Sequence, residues 1–294
     1  MAPTRVGIIG LSANPSGSGW AKTAHLPYLK ANPNFEVIGV LNSSLASSQA
    51  AIDTFQLSAA KPFADVDSMA SDPDIDLVVI CVEVKMHYTI AKTILEHGKN
   101  LFCEWPLGQN SDDAIQLAKL AKQKGVQTFV DLESRLSPVS VKLRELIGSG
   151  QIGKVTSTDV IGTLGPPPKV WGERVAFYLD VKSGQSPLNT RFAHFIDAFC
   201  YSVGEFESFQ SLLATHQKEV KLYNVPMSQL AEAAMDPRIP YKTVERTSPD
   251  EILLQGKLTN GALAAIHLRS GENDADGNLL RWIITGADGL IEVT

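Results

Sequence analysis

The chain has 294 residues, 44% hydrophobic and 20% charged, with 22 glycines and 16 prolines. That is ordinary globular composition for about two domains, and it excludes a disordered chain, a collagen-like chain and a coiled coil. Lys+Arg 26 against Asp+Glu 32 leaves a net charge of −6, and without a Lys/Arg block there is no electrostatic reason to bind DNA, RNA or anionic lipid directly.

Met1 to Gly7 enters a strand pattern almost at once. No charged region precedes an apolar one, so no signal peptide is expected, and no apolar run approaches the roughly 20 residues of a membrane span. The expected location is the cytoplasm, or also the nucleus if the chain is a regulator. Val6 to Gly10 reads as a strand stopped by glycine, 19–31 as a helix, Glu36 to Leu41 as a strand and Ser47 to Phe55 as a helix. Leu77 to Val82 is apolar throughout, the type of strand buried on both faces of a parallel sheet. His87 to His97 reads as a helix and Leu101 to Cys103 as a strand. In Asp112 to Lys124, acids fill the first turn, lysines the last, and Gly125 stops the helix. Val126 to Val130 follows as a strand. This alternation predicts a doubly wound parallel (Rossmann) sheet over 1–131.

From 132 to 294 the pattern changes. A helix over Val139 to Ile147 precedes strand patterns at 154–163, 207–222, 251–269 and 279–293, interrupted by a helix over Leu188 to Val203. Asn260-Gly261 predicts a type I′ hairpin turn, and Asp288-Gly289 suggests a second. Gly165 to Pro168 and Pro226 to Pro240 read as loops. The second domain is therefore expected to be α+β with an open, mostly antiparallel sheet.

The three cysteines, Cys81, Cys103 and Cys200, form no C-x-x-C pair. Buried free thiols are expected and no metal site. His25, His97, His216 and His267 are scattered and receive no assignment. The motifs of zinc hydrolases, serine hydrolases and P-loop kinases are absent.

A strand, a small-residue loop and a helix form the place where such a sheet meets the pyrophosphate of a dinucleotide. The loop is Gly10 to Gly19, longer than G-x-G-x-x-G, with Ser12 at the second glycine position. At the end of the second strand Asn42, Ser43 and Ser44 stand where an acid would select NAD. Their hydrogen bonds could serve a 2′-phosphate, which tilts the expectation towards NADP; as turn residues they could equally start the next helix.

These stretches, with Glu104-Trp-Pro106, Gly125 to Thr128, Ser134 to Pro138, Gly150 to Gly153 and Phe192 to Asp197, resemble the glucose–fructose oxidoreductase/inositol dehydrogenase/rhizopine-catabolism (Gfo/Idh/MocA) family. Within it the resemblance is greatest to the fungal branch that contains the galactose-pathway repressor of yeasts. The resemblance implies NAD or NADP as cofactor, a second domain that covers the nicotinamide and often builds dimers or tetramers, and a homo-oligomer here. It implies a cofactor set of Gly10, Ser12, Ala13, Gly19, Trp20, Asn42, Ser43, Ser44, Val82, His87, Glu104, Trp105, Pro106 and Arg135. The family's dehydrogenases carry Glu-Lys-Pro after strand five; here Trp105 holds the lysine position. Thr190 replaces the aspartate four residues before His194. Members usually continue beyond the strand resembling Gly289 to Thr294, so the chain is expected to be truncated, with an edge at 279–293 prone to aggregation or pairing.

An indole cannot exchange a proton near neutral pH. His194 is therefore the first candidate acid–base residue, on a helical stripe with Thr190, Arg191, Asp197 and Tyr201, with Lys182 and Tyr178 as alternatives. Three functions remain open. One is hydride transfer between a nicotinamide and a carbonyl or polyol substrate. The second is a non-catalytic, dinucleotide-sensing regulator that binds an activator's acidic peptide. The third is a damaged relative without independent function.

Overall fold

A computed structural model describes residues 2–14, 19–165, 170–271 and 277–294. The contacts divide the chain into two units, Met1–Asp131 and Leu132–Thr294.

In the first unit, β1 (Thr4–Ile9), β2 (Phe35–Leu41), β3 (Lys61–Pro62), β4 (Leu77–Ile80), β5 (Asn100–Glu104) and β6 (Thr128–Asp131) form one sheet in the order β3-β2-β1-β4-β5-β6. Every pairing is parallel. The strand order therefore reverses between β1 and β4, where such a sheet opens a crevice at its carboxyl edge. The alternation of side chains along the strands explains why they are apolar throughout. Val6, Ile8 and Val79 pack into a cluster on one face, while Ile9, Val78 and Ile80 pack into another. A π turn (Ala21–His25) leads into α1 (Leu26–Ala31), followed by α2 (Leu45–Phe55), α3 (Val66–Ala70), α4 (Val84–Glu96) and α5 (Ser111–Lys124). Helix α5 starts at Asn110, whose side chain accepts from Asp113 N, and ends at Gly125 with φ +66°; both ends follow ordinary capping chemistry.

The second unit is built on a sheet in the order β15-β14-β7-β13-β12-β9: β7 (Val155–Thr163), β9 (Phe206–Ala214), β12 (Glu251–Leu258), β13 (Leu263–Arg269), β14 (Leu280–Gly286) and β15 (Leu290–Val293). Among the described residues of this sheet β7 and β13 pair in parallel and the other neighbours antiparallel. Helices α6 (Pro138–Gly148) and α7 (Ala193–Val203) supply Leu143, Phe199 and Val203 to a core with Val160, Ile252, Ile266 and Trp282. The other face is open, with Ile161, Leu212, Leu253 and Leu263 exposed. A small sheet holds β8 (Trp171–Gly172), β10 (Glu219–Tyr223) and β11 (Tyr241–Glu245). Among the described residues no helix is long and apolar enough to cross a membrane.

Three local expectations are corrected. The strand expected over 207–222 is two strands in different sheets, β9 and β10. Asp250 makes the break: its carboxylate accepts from the backbone N–H of His216 and of Gln217, at 2.8 and 3.0 Å, so those amides need no neighbouring strand. The hairpin between β12 and β13 is not type I′, because Gly261 has positive φ (+92°) and Asn260 does not. Gly261 N donates to Leu258 O and Leu258 N to Ala262 O, the pattern of a type I turn closed by a left-handed glycine. The loop 226–240 contains a short helix, α8 (Leu230–Met235), because Leu230 and Ala233 find a buried seat.

Candidate functional site

At the crevice of the first sheet, Gly10 has φ +97°, and a Cβ there would lie 2.1 Å from Cys81 O. Only glycine lets β1 end this close to the end of β4. Beside it is a cavity of about 330 Å³ lined by Gly10, Ser12, Ala13, Asn14, Asn42, Ser43, Ser47 and Ala50. Thus Gly10, Ser12, Ala13, Asn42 and Ser43 of the expected cofactor set share one hollow. Gly19 has open space around it, and Trp20 is exposed where the helix begins. Residues 15–18 of the loop lie outside the described residues.

The 2′-phosphate expectation is only partly met. Ser44 caps α2 in a capping box with Ser47. Both hydrogens of the Asn42 amide are donated, to Leu11 O and Ser47 O. Those groups hold the turn, as the competing structural reading required, and Ser43 alone of the three stays on the rim with no such role.

Val82, Glu104, Trp105 and Pro106 follow the ends of β4 and β5, and the Trp105–Pro106 bond is cis. His87 is not a ligand-facing group. It is fully buried, and its Nδ1 and Nε2 face Pro106 O and Val82 O at 2.7 and 3.0 Å. It ties helix α4 to the Glu104-Trp-Pro106 turn. Burial, outweighing both carbonyls, lowers its pKa from 6.5. The folded ring is neutral where the unfolded ring would take a proton. The stabilisation is therefore present above about pH 6.5 and is lost as pH falls towards the folded pKa. Denaturant titrations should show stability falling below about pH 6.5, with a smaller fall in His87→Gln.

His25, unassigned from sequence, is brought to this edge. Its Nε2 contacts Glu104 Oε1 and lies 3.7 Å from Asp131 Oδ2. Cys81 Sγ lies 3.9 Å from Glu104 Oε1. Burial is the main cause that pushes the Cys81 and Cys103 thiols up, with Glu104 adding to it, and the Cys200 thiol likewise rises to about 12. All three cysteines are free.

In the second unit the stripe on α7 exists, but its partners differ from those expected for His194. Asp197 takes the Arg135 guanidinium in a two-point ion pair, and Arg135 also lies over the Tyr201 ring at 5.5 Å. Arg135 is thus committed inside its own unit. Arg191 donates to Leu164 O, and Thr190 to Ser186 O. The cause is the 3-10 turn Glu133–Leu136, which packs against α7 and delivers Arg135 and Glu133 there. His194 Nδ1 is buried 3.3 Å from Glu133 Oε2. It has no aligned hydrogen-bond partner among the described residues. Lys182 is exposed on a separate short turn, and Tyr178 packs against Phe177 and Trp171. Neither is placed with His194 by the contacts described.

Residues 4–132 match the "Oxidoreductase family, NAD-binding Rossmann fold" (Gfo/Idh/MocA), and residues 138–294 match "Gal80p, C-terminal domain". The chain belongs to the Gfo/Idh/MocA oxidoreductase family and carries a Gal80p-like C-terminal domain. It is 33% identical over 268 residues to the galactose/lactose metabolism regulatory protein GAL80 of Kluyveromyces lactis, covering 88% of this chain and 56% of that protein. It is 28% identical over 291 residues to dehydrogenase aclE of Aspergillus oryzae, covering 98% and 76%. A crystal structure of a super-repressor mutant of Gal80p from Saccharomyces cerevisiae superposes with TM-score 0.86 at 28% identity, covering 99% of this chain and 74% of that one. The chain spans just over half the length of the yeast regulatory proteins it matches, 56% and 59%.

Proposed function

We propose that the chain binds NAD or NADP at the carboxyl edge of its first sheet and transfers hydride between the nicotinamide and a carbonyl or alcohol carbon, with His194 as the acid–base group. The observation that carries the catalytic part is the buried His194 Nδ1 beside Glu133, a histidine–carboxylate pair with a ring nitrogen not otherwise committed. Gly10, whose Cβ position is closed by Cys81 O, and the hollow lined by Ser12, Ala13, Asn42 and Ser43 fit a dinucleotide that needs backbone N–H groups at close range. The bound cofactor supplies or accepts the hydride at its nicotinamide carbon. In alcohol oxidation the hydroxyl proton passes to His194, and in carbonyl reduction His194 returns it to the oxygen. Glu133 supports the charged ring that forms in oxidation. Trp105, in place of the lysine, fills space and can donate one N–H.

Thermal denaturation with NAD, NADH, NADP and NADPH tests the cofactor. A ligand at about 100 times its Kd adds roughly 2.7 kcal/mol of stability, so the melting temperature should rise by several degrees. No rise with any of the four, on folded protein, overturns it.

A second reading is favoured by Trp105 and by the relatives named as regulatory proteins. In it the dinucleotide is sensed, not consumed, and the partner is an acidic activator peptide. Either function suits a protein of the cytoplasm or nucleus.

The open face of the second sheet supports self-association. It carries Leu212 and Leu263 at 72% and 62% exposure, around shallow hollows of about 650 and 680 Å³. Neighbouring exposed apolar side chains on one face mark an association surface. The expected state is a homo-oligomer, with Leu212→Glu shifting light-scattering mass towards the monomer. A wild-type monomer would refute this.

A further inference from the structure

The carboxyl ends of β4, β5 and β6 place three potential metal ligands in one row. Glu104 and Asp131 are register partners across β5 and β6. Ile80 pairs with Cys103 across β4 and β5, so Cys81 falls beside Glu104 at the next step. His25, at the end of the π turn after β1, closes the row from above the sheet edge. Its side chain and those of Glu104 and Asp131 are only 13–14% exposed. The Phe102 ring packs edge-on against the imidazole at 5.2 Å.

We propose that His25, Cys81 and Glu104, with Asp131 in reach on the His25 side, form a binding site for one divalent transition-metal ion of the zinc type. The distances suit it. Bonds of about 2.0 Å to nitrogen or oxygen and about 2.3 Å to sulfur set the ligand atoms of a tetrahedral ion about 3.3–3.8 Å apart. His25 Nε2 to Asp131 Oδ2 is 3.7 Å, and Cys81 Sγ to Glu104 Oε1 is 3.9 Å. The ligand atoms of His25, Cys81 and Glu104 all lie within 4.8 Å of one another. His25 and Glu104 are closer than an ion would leave them, as an imidazole hydrogen-bonded to a carboxylate should be. An entering ion takes the place of that shared proton.

The donor types choose the metal. One sulfur and one imidazole disfavour magnesium and calcium, which want oxygen, and favour zinc, cobalt or nickel. A bound dication would also release the protons of Cys81 and, where it is charged, of His25. No C-x-x-C marks the site along the chain. These ligands come from four separate elements. The proposal does not rest on dinucleotide binding.

The test is a cobalt titration of chelator-treated full-length protein. The expected result is saturation at one equivalent, with the visible absorption of tetrahedral cobalt and a near-ultraviolet sulfur-to-cobalt band. Cys81→Ser should abolish the sulfur band and weaken zinc, measured by competition with a chromophoric chelator, by at least about a hundredfold. Cys103→Ser and Cys200→Ser should leave both unchanged. His25→Gln should weaken zinc comparably, and serves as the reading if circular dichroism shows Cys81→Ser unfolded. Absence of saturable binding at one equivalent overturns the site. So does a sulfur band that survives Cys81→Ser or disappears only in Cys103→Ser. The dinucleotide melting assay on the same samples reports separately on the cofactor reading.

Discussion

Gly10→Ala is expected to destabilise the first unit by about 2–6 kcal/mol and to abolish the dinucleotide-dependent rise in melting temperature. Two costs combine. A non-glycine residue at φ +97° pays about 1–3 kcal/mol of backbone strain. The added Cβ would also stand 2.1 Å from Cys81 O, and forcing extra volume into a packed site costs about 1–3 kcal/mol. The obstacle is backbone at the end of β4, not the tip of a flexible side chain, so relief requires the two strands to part. Those strands flank the proposed binding crevice, and the effect therefore reaches binding as well as stability. Gly19→Ala is the control, since nothing lies within 4 Å of a Cβ there; it should change stability by less than about 1 kcal/mol. Equal losses in both variants, by urea unfolding, would show that the close approach at Gly10 is not what the site depends on.

The first sheet was legible because a parallel strand covered on both faces leaves an unambiguous trace. Leu77 to Ile80 is apolar at every position, and the structure divides its side chains between two cores. Glycine at the end of β1 was legible for the same reason, as a residue type demanded by backbone proximity. Other features depended on distant partners. The polar stretch Thr215 to Glu219 was a local sign of the break inside 207–222, but the carboxylate that ends β9 belongs to Asp250, 34 residues beyond the first amide it accepts, that of His216. Asn260-Gly261 marked a turn, but its geometry depends on which residue takes positive φ, and only Gly261 does.

The candidate site shows the same limit. Helical spacing placed Arg191, Asp197 and Thr190 near His194, and one turn of chain from outside α7 redirected the chemistry. Arg135 took Asp197, and Glu133 came to His194. His25 stands 79 residues from Glu104 and had no local signal. A reading of the parallel register, once the strand order was known, could have placed Cys81, Glu104 and Asp131 together. The histidine needed the path of the helix as well.

His194→Ala is expected to lower kcat by roughly 10²–10⁴, the ordinary weight of a general acid–base group, with dinucleotide affinity unchanged. Trp105 brings an indole, not an acid–base group, to the end of β5. An alkoxide developing during hydride transfer needs a proton donor or a positive charge, and the indole supplies neither. Histidine is the ordinary side chain for acid–base work, and the buried Nδ1 of His194 faces Glu133 without an aligned bond. Glu133→Gln should give a smaller loss, because it removes the charge that supports the ring and leaves the ring in place. The measurement is steady-state oxidation or reduction across a panel of carbonyl and polyol compounds, with cofactor affinity taken separately by calorimetry. Full activity in His194→Ala would make the histidine structural and turn attention to Lys182 and Tyr178. Tight dinucleotide binding by a wild type that oxidises and reduces nothing would defeat hydride transfer and favour the sensing reading. Trp105→Lys then becomes the informative variant. It puts a proton-exchanging group at the end of β5, and a gain of polyol dehydrogenase activity from it would show that one residue separates a regulator from an enzyme in this fold.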